Sequence, residues 1–172
     1  MTIRKIITPP NKLLKQPSLL VEQVDDSIRA LVRDMFETMY EAPGIGLAAV
    51  QVGEPVAVIV MDTAGENEEP RPRALINPQV IWASQEEREY EEGCLSVPDI
   101  YDTVVRPAEV KVRYLDLDGN QREETFTGMD ATCVQHEIDH TKGILFIDYL
   151  GRLKRERYLK KIIKKARQAQ EA

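Results

Sequence analysis

His136 and His140 are the only histidines in this 172-residue chain, and Glu137 follows the first of them in the run Gln-His-Glu-Ile-Asp-His. Four residues apart on a helix, two imidazoles share one face about 6 Å apart and can bind the same metal ion. A carboxylate beside the first can then exchange protons with a water at that ion without itself being a ligand. A catalytic centre of this kind needs a third protein ligand and one open position. With no third histidine, the candidates are Cys94, Cys133 and a carboxylate. Cys133 lies three residues before His136, but a metal held by 136 and 140 sits level with residue 138, roughly 7.5 Å along the axis at 1.5 Å per residue. Its short side chain also tilts toward the helix N-terminus, away from the metal. Cys133 therefore reads as a small apolar residue lining the site. Cys94, in Glu-Glu-Gly-Cys-Leu-Ser-Val-Pro, could be carried to the helix by a neighbouring strand. Its thiolate would complete a Cys-His-His set with the fourth position left to water, although a carboxylate could serve equally.

A third segment, Gly44-Ile45-Gly46-Leu47-Ala48-Ala49-Val50-Gln51, packs two glycines and two alanines into eight residues, so another chain can approach its backbone closely. Gln51 adds a neutral donor for developing negative charge. The segment has neither phosphate-loop spacing. By itself it reads first as a tight turn packed under a strand.

The elements that must position these residues follow from periodicity. Asp25, Asp26 and Ser27 start a helix whose apolar positions Ile28, Leu31, Val32, Met35, Phe36 and Met39 repeat at helical spacing to about Tyr40, where Pro43 and Gly44 stop it. Val56–Met61 reads as a buried strand and Ala74–Ala83 as a second, with an acidic surface loop between them. Val110, Val112 and Tyr114 alternate with Lys111 and Arg113. The Asp118-Gly119 turn then leads to Gln121–Phe126, predicting a hairpin with one buried face. A helix from about Met129 to Thr141, closed by Gly143, carries both histidines. A last helix shows Tyr158, Leu159, Ile162, Ile163 and Ala166 on one stripe with Lys and Arg opposite. The expectation is a single α+β catalytic domain over residues 1–172. Short antiparallel strands pack around a central metal-binding helix, and residues 151–172 form a basic amphipathic C-terminal helix.

Composition bounds the function. A hydrophobic fraction of 42% with 30% charged residues is that of an ordinary globular chain, long enough to bury roughly 70% of its extended surface without a disulfide or metal staple. No apolar run approaches the ~20 residues of a membrane span, and the N-terminus lacks the apolar core of a signal peptide. Two cysteines are too few for a disulfide framework. The net charge of −6 argues against DNA binding by the whole domain. The charge is uneven: Gly151–Ala172 holds nine basic and two acidic residues, leaving 14 basic against 27 acidic before it. Such an arm is either a solvated face on a docked helix or a contact for a polyanion such as ribosomal RNA.

Taken together and in order, GIGLAAVQ, EGCLS and QHEIDH resemble the three signature motifs of the peptide deformylase family, and the resemblance extends from Ile6-Ile7-Thr8-Pro9-Pro10 to the terminal helix. It implies metal ligation by Cys94, His136 and His140, with Glu137 as general acid/base and Gln51 and the Leu95 backbone N–H as oxyanion donors. Backbone groups of Ile45, Gly46 and Gly93 would hold the substrate as an added strand. Ile45, Tyr90, Met129, Thr132 and Cys133 would wall a pocket for a methionine side chain, and a Glu92–Arg106 pair would brace the cysteine segment. The implied reaction is hydrolysis of the formyl group from N-formylmethionyl nascent peptides, releasing formate, by a metal-bound hydroxide. Fe(II) is the implied metal, with Zn(II), Ni(II) or Co(II) able to occupy the site, and a bacterial-type cytoplasm the implied setting. The sequence departs from the family's common pattern at two places: Asn11 stands where an aspartate is usual and Tyr101 where a basic residue is usual.

Two other readings compete. A zinc peptidase would share the helix motif, but nothing after Gly143 supplies a further histidine. A closed zinc module on Cys94, Cys133, His136 and His140 would leave no open position and give Glu137 and Gln51 no role.

Overall fold

The computed structural model describes residues 2–171; Met1 and Ala172, the ends of the expected 1–172 unit, lie outside the described residues. The apolar repeat that starts at Asp25 folds as helix α1 (Asp26–Glu41), capped by Asp25 Oδ1, which accepts the Ile28 N–H at 3.1 Å. Beyond it the chain forms β1 (Gly46–Ala48), β2 (Val58–Met61) and β3 (Arg73–Ala83). The expected hairpin is β6 (Glu109–Leu115) with β7 (Gln121–Thr127), Val112 standing opposite Glu124. These five strands make one antiparallel sheet in the order β1-β2-β3-β6-β7.

The unbroken apolar run of β2 has a direct cause: both its faces are covered. Val58 and Val60 pack with Leu31, Val32, Met35 and Met39 of α1. Ile59 and Met61 pack with Val134 and Ile138 of α2 (Gly128–Thr141), the helix that carries the histidines. The strand begins two residues later than Val56 because Val56 bridges the N-terminal segment at Leu19 and the Ala57 N–H donates to the Leu19 carbonyl at 2.9 Å.

Helix α2 is the centre of the fold. Every residue from Ala131 to His140 is buried, so no face of it is left to solvent over those positions. One side rests on the sheet. A second, two-stranded sheet is made by β4 (Glu87–Cys94) and β5 (Val97–Pro107) around the turn Leu95-Ser96. This hairpin does not show clean alternation in the sequence, because its inner face carries the buried Glu92 and Arg106 beside Val104. Helix α3 (Arg152–Glu171) lies behind it, packing Tyr158, Leu159 and Ile162 with Val97, Ile100, Val104 and Phe146. Its Lys160, Lys161, Lys164 and Arg167 face solvent. Among the described residues no helix is long and apolar enough to cross a membrane.

Candidate active site and metal centre

Three elements bring the chemistry-bearing residues together. Helix α2 presents His136, Glu137 and His140, the last residue of β4 presents Cys94, and the 3-10 turn Ala49–Val52 behind β1 presents Gln51. The Cys94 sulfur and one nitrogen from each histidine lie within 4.8 Å of one another, the one such group among the described residues. Ligand arms of about 2.0–2.3 Å set tetrahedral donors roughly 3.5 Å apart, and Cys94 Sγ stands 3.4 Å from His140 Nε2. Cys133 Sγ points elsewhere, to the Ile45 carbonyl at 3.5 Å. Burial, with Glu137 and Asp130 close by, holds its thiol well above the ordinary cysteine range. The set is thus one sulfur and two nitrogens, as a catalytic centre with an open position requires.

The surroundings fit a metal as well. His136 Nδ1 shares a 2.9 Å hydrogen bond with Glu92 Oε1, which leaves Nε2 as the nitrogen free to ligate. Arg106 grips Glu92 with both arms of its fork, Nε to Oε2 at 2.7 Å and Nη2 to Oε1 at 2.9 Å. Its third nitrogen, Nη1, donates to Asp139 Oδ2 at 2.8 Å, and Tyr149 Oη donates to that same oxygen at 2.7 Å. Burial disfavours ionised Glu92, but His136 and Arg106 outweigh it and keep the carboxyl below its ordinary value. At His140 burial dominates and lowers the pKa, reinforced by His136 and Arg106; at His136 the Glu137 carboxylate, Cys94 and Glu92 overcome burial and raise it.

Glu137 is fully enclosed, and burial pushes its carboxyl up to about 7, against the pull of His136. Its Oε1 is buried without a hydrogen-bond partner among the described residues. Glu137 and Cys133 leave so little room that a Cβ at Gly46 would strike the carboxylate and come within 3.0 Å of the Cys133 sulfur. The Gln51 amide is held at both ends: Oε1 accepts the Ala48 N–H at 2.9 Å, while Nε2 donates to Ser96 Oγ at 3.0 Å and faces Cys94 Sγ at 3.5 Å. A polarising centre, a proton-exchanging carboxylate and an oriented amide donor together suit hydrolysis of a carbonyl compound.

Comparison with known proteins decides the family. A family model described as polypeptide deformylase matches residues 3–156. The chain belongs to the peptide deformylase family. Among its relatives, the peptide deformylase of Phenylobacterium zucineum is 58% identical over 169 residues, covering 98% of this chain and all of the relative. That of Caulobacter sp. strain K31 is 59% identical over 173 residues, covering 98% and 99%. The crystal structure of peptide deformylase from Ehrlichia chaffeensis superposes with a TM-score of 0.93 at 44% identity, covering 98% of this chain and 99% of the other. The mixed helix and antiparallel-sheet architecture expected from the sequence is therefore that of the deformylase fold.

A cavity of about 710 Å³ opens onto the site. Ile45, Gly46, Gln51, Gly93, Cys94, Leu95, Met129, Thr132, Cys133, His136 and Glu137 all line it. Strand β1 is the edge of its sheet, so its outer side is free to pair with an added strand. The Ile45 carbonyl already accepts the Asp62 N–H at 2.8 Å. Tyr90 departs from the expectation: it does not line the cavity but sits under the Arg88 guanidinium, 4.8 Å from its ring centre. Four residues of extended chain put it about 13 Å along β4 from Cys94. Asn11 caps the short 3-10 helix Lys12–Lys15, its Oδ1 accepting the Leu13 N–H at 3.0 Å. Sequence reasoning missed Ser96, Asp139 and Tyr149. Asp139 had a readable signal, standing three residues after His136 on the same helix, and Ser96 follows the Cys-Leu pair in its turn. Tyr149 carried none.

Proposed function

We propose that this chain removes the N-terminal formyl group from N-formylmethionyl nascent peptides, releasing formate and a free amine. The observation that carries the reading is the meeting of Cys94, His136, Glu137 and Gln51 on one cavity beside the open edge of β1, with the buried His140 completing the Cys-His-His donor group behind them. Cys94, His136 and His140 would hold a divalent metal ion, which when bound supplies Lewis acidity toward the formyl carbonyl and the attacking water. Glu137 accepts the water proton at Oε1 as the hydroxyl adds to the formyl carbon, then delivers it to the amine nitrogen as the C–N bond breaks. The raised value of Glu137 suits a group that must both take and return a proton near neutrality. Gln51 Nε2 and the Leu95 N–H receive the developing oxyanion, each such donor contributing about 3 kcal/mol in comparable sites. Backbone groups of Ile45, Gly46 and Gly93 align the peptide as an added strand, and Met129, Thr132 and Cys133 receive the methionine side chain.

The finer assignments are part of the same proposal. Fe(II) is the working metal, with Zn(II), Ni(II) and Co(II) as competitors; one thiolate and two imidazoles suit any of them. The solvent-facing lysines of α3 meet ribosomal RNA, and the enzyme works in a bacterial-type cytoplasm as one catalytic domain. Support comes from the basic outer face of α3, from the bacterial origin of the relatives and from the packing of α3 on β5. The test is formate release from formyl-Met-Ala-Ser by protein purified without oxygen and supplied with Fe(II). Release that disappears in Glu137→Ala while the metal stays bound supports the reading. Silence from folded, metal-loaded protein overturns it, and cleavage of the unformylated peptide would favour a peptidase instead.

A further inference from the structure

The connection between β2 and β3 reads in the sequence only as an acidic surface loop, yet its first residue is buried. Asp62 is 7% exposed, and both oxygens of its carboxylate are engaged. Oδ2 accepts the Tyr40 hydroxyl at 2.6 Å, Oδ1 accepts the Ala64 N–H at 3.0 Å, and the Arg71 N–H reaches both oxygens at 3.2 Å. One carboxylate therefore closes the neck of the loop and ties it to the C-terminal end of α1. Burial disfavours its charge, but the Tyr40 hydroxyl and the backbone N–H groups outweigh that and hold the carboxyl below its ordinary value. Asp62 also reaches the site from two sides. Its own N–H donates to the Ile45 carbonyl at 2.8 Å, extending the β1-β2 ladder by one step to the cavity rim. Next in the chain, the Thr63 hydroxyl donates to Asp130 Oδ1, beside Met129 in the first turn of α2. Ile45 and Met129 line the cavity, whereas Tyr40, Asp62, Thr63 and Asp130 do not. The β1 edge and the start of α2 are thus joined by a two-residue bridge, and the Asp62 carboxylate fixes where that bridge sits.

Resting on the proposed deformylase reading, we propose that Asp62 is a positioning residue for side-chain selection. It sets the gap between Ile45 and Met129, and with it how closely the cavity holds the first side chain of the substrate. A wall that shifts by a fraction of an ångström loses contact with the far end of a long side chain and leaves a short one unaffected. The reacting groups are held by other means: His136 and Glu137 by the buried middle of α2, and Gln51 by Ala48 and Ser96. Asp62 therefore acts on grip and not on the chemical step.

The experiment measures formate release from formyl-Met-Ala-Ser and formyl-Ala-Ala-Ser by the metal-loaded parent chain, Asp62→Ala, Thr63→Val and Asp34→Asn. Contact with one methylene in an apolar pocket is worth at least about 10-fold in kcat/KM. Asp62→Ala should lower the methionine-over-alanine preference by about that factor, through KM for the methionine peptide, with kcat within about 2-fold of the parent. Thr63→Val keeps the side-chain shape, cuts only the tether to Asp130, and lowers the preference by a smaller factor. Asp34→Asn breaks a different carboxylate of α1, the partner of Arg4, and leaves the preference unchanged. A merely structural role for Asp62 would lower the melting temperature and reduce kcat for both peptides alike. That outcome, a parent chain that does not distinguish the peptides, an unchanged preference in Asp62→Ala, or an equal fall in Asp34→Asn overturns the proposal and leaves deformylation intact. Should Asp62→Ala not fold, Thr63→Val decides alone, and a preference equal to the parent's overturns the proposal. No formate from either peptide with the parent chain overturns the deformylase reading and the proposal with it.

Discussion

Tyr149 Oη donates a 2.7 Å hydrogen bond to Asp139 Oδ2, the oxygen that also accepts Arg106 Nη1 at 2.8 Å. The Arg106 guanidinium lies 4.9 Å from the Tyr149 ring centre. A half-exposed tyrosine thus closes a chain of contacts that runs inward through Asp139, Arg106 and Glu92 to His136. Burial and Asp139 push the Tyr149 hydroxyl up to about 12, so it stays a donor at any working pH. Partners of metal-bound histidines typically contribute about 10–100-fold to metal affinity, so Glu92→Gln should shed its metal to a chelator that much more readily. Tyr149→Phe cuts only the outermost neutral hydrogen bond and should cost less than about 10-fold. Chelator competition on the metal-loaded variants measures both, with circular dichroism to confirm the fold. Equal losses in the two variants would mean that the chain of contacts does not grade outward from the ligand.

Gln51 and Ser96 divide one task. Gln51→Leu removes an amide donor aimed past Cys94 and should lower kcat by about 10²–10³ with KM little changed. Ser96→Ala removes only the 3.0 Å acceptor that steadies Gln51 Nε2. The donor survives through the Ala48 contact at Oε1, so the loss should be clearly smaller. A serine variant as damaged as the glutamine variant would assign the donor role to Ser96.

Gly46 is constrained by what lies against it. Gly46→Ala would drive a methyl group into the Glu137 carboxylate and the Cys133 sulfur, both buried in a packed helix. Either the carboxylate swings aside or the β1 edge lifts from α2, and both take Glu137 out of its place at the cavity. We expect loss of turnover by at least the about 10²-fold typical of a missing acid/base group, with the metal retained. Metal analysis beside formate release separates this from collapse of the centre.

The sequence made some of this arrangement readable and hid the rest for physical reasons. Helix α2 was readable because its histidine spacing, closing glycine and apolar neighbours all agree, and β2 because a strand covered on both faces must be apolar throughout. The β4-β5 hairpin was hidden because Glu92 and Arg106 occupy inward positions where alternation leads one to expect apolar residues. They are there because Arg106 neutralises Glu92 and Glu92 braces His136, a pairing that periodicity does not show although the family resemblance implies it. Tyr90 misled for the opposite reason. An aromatic residue four positions before Cys94 suggests a pocket wall, but extended chain moves away from the metal by about 3.3 Å per residue.

Asp102 ties α3 to the hairpin, accepting Tyr158 Oη at 2.8 Å and pairing with Lys154 Nζ at 3.1 Å. The Tyr158 hydrogen bond, then Lys154, hold its carboxyl below the ordinary aspartate value despite some desolvation. A carboxyl with a lowered folded-state value stabilises the fold fully above the unfolded value of about 3.9. That contribution disappears as pH falls through the folded value. The stability advantage of the parent chain over Asp102→Asn, read from urea midpoints, should therefore be flat between pH 7 and 5 and shrink by pH 3.5. Amide exchange over residues 154–166 should show the same convergence. An advantage that grew on acidification would mean that Asp102 acts through its uncharged form, and the ion pair with Lys154 would then carry none of the docking of α3.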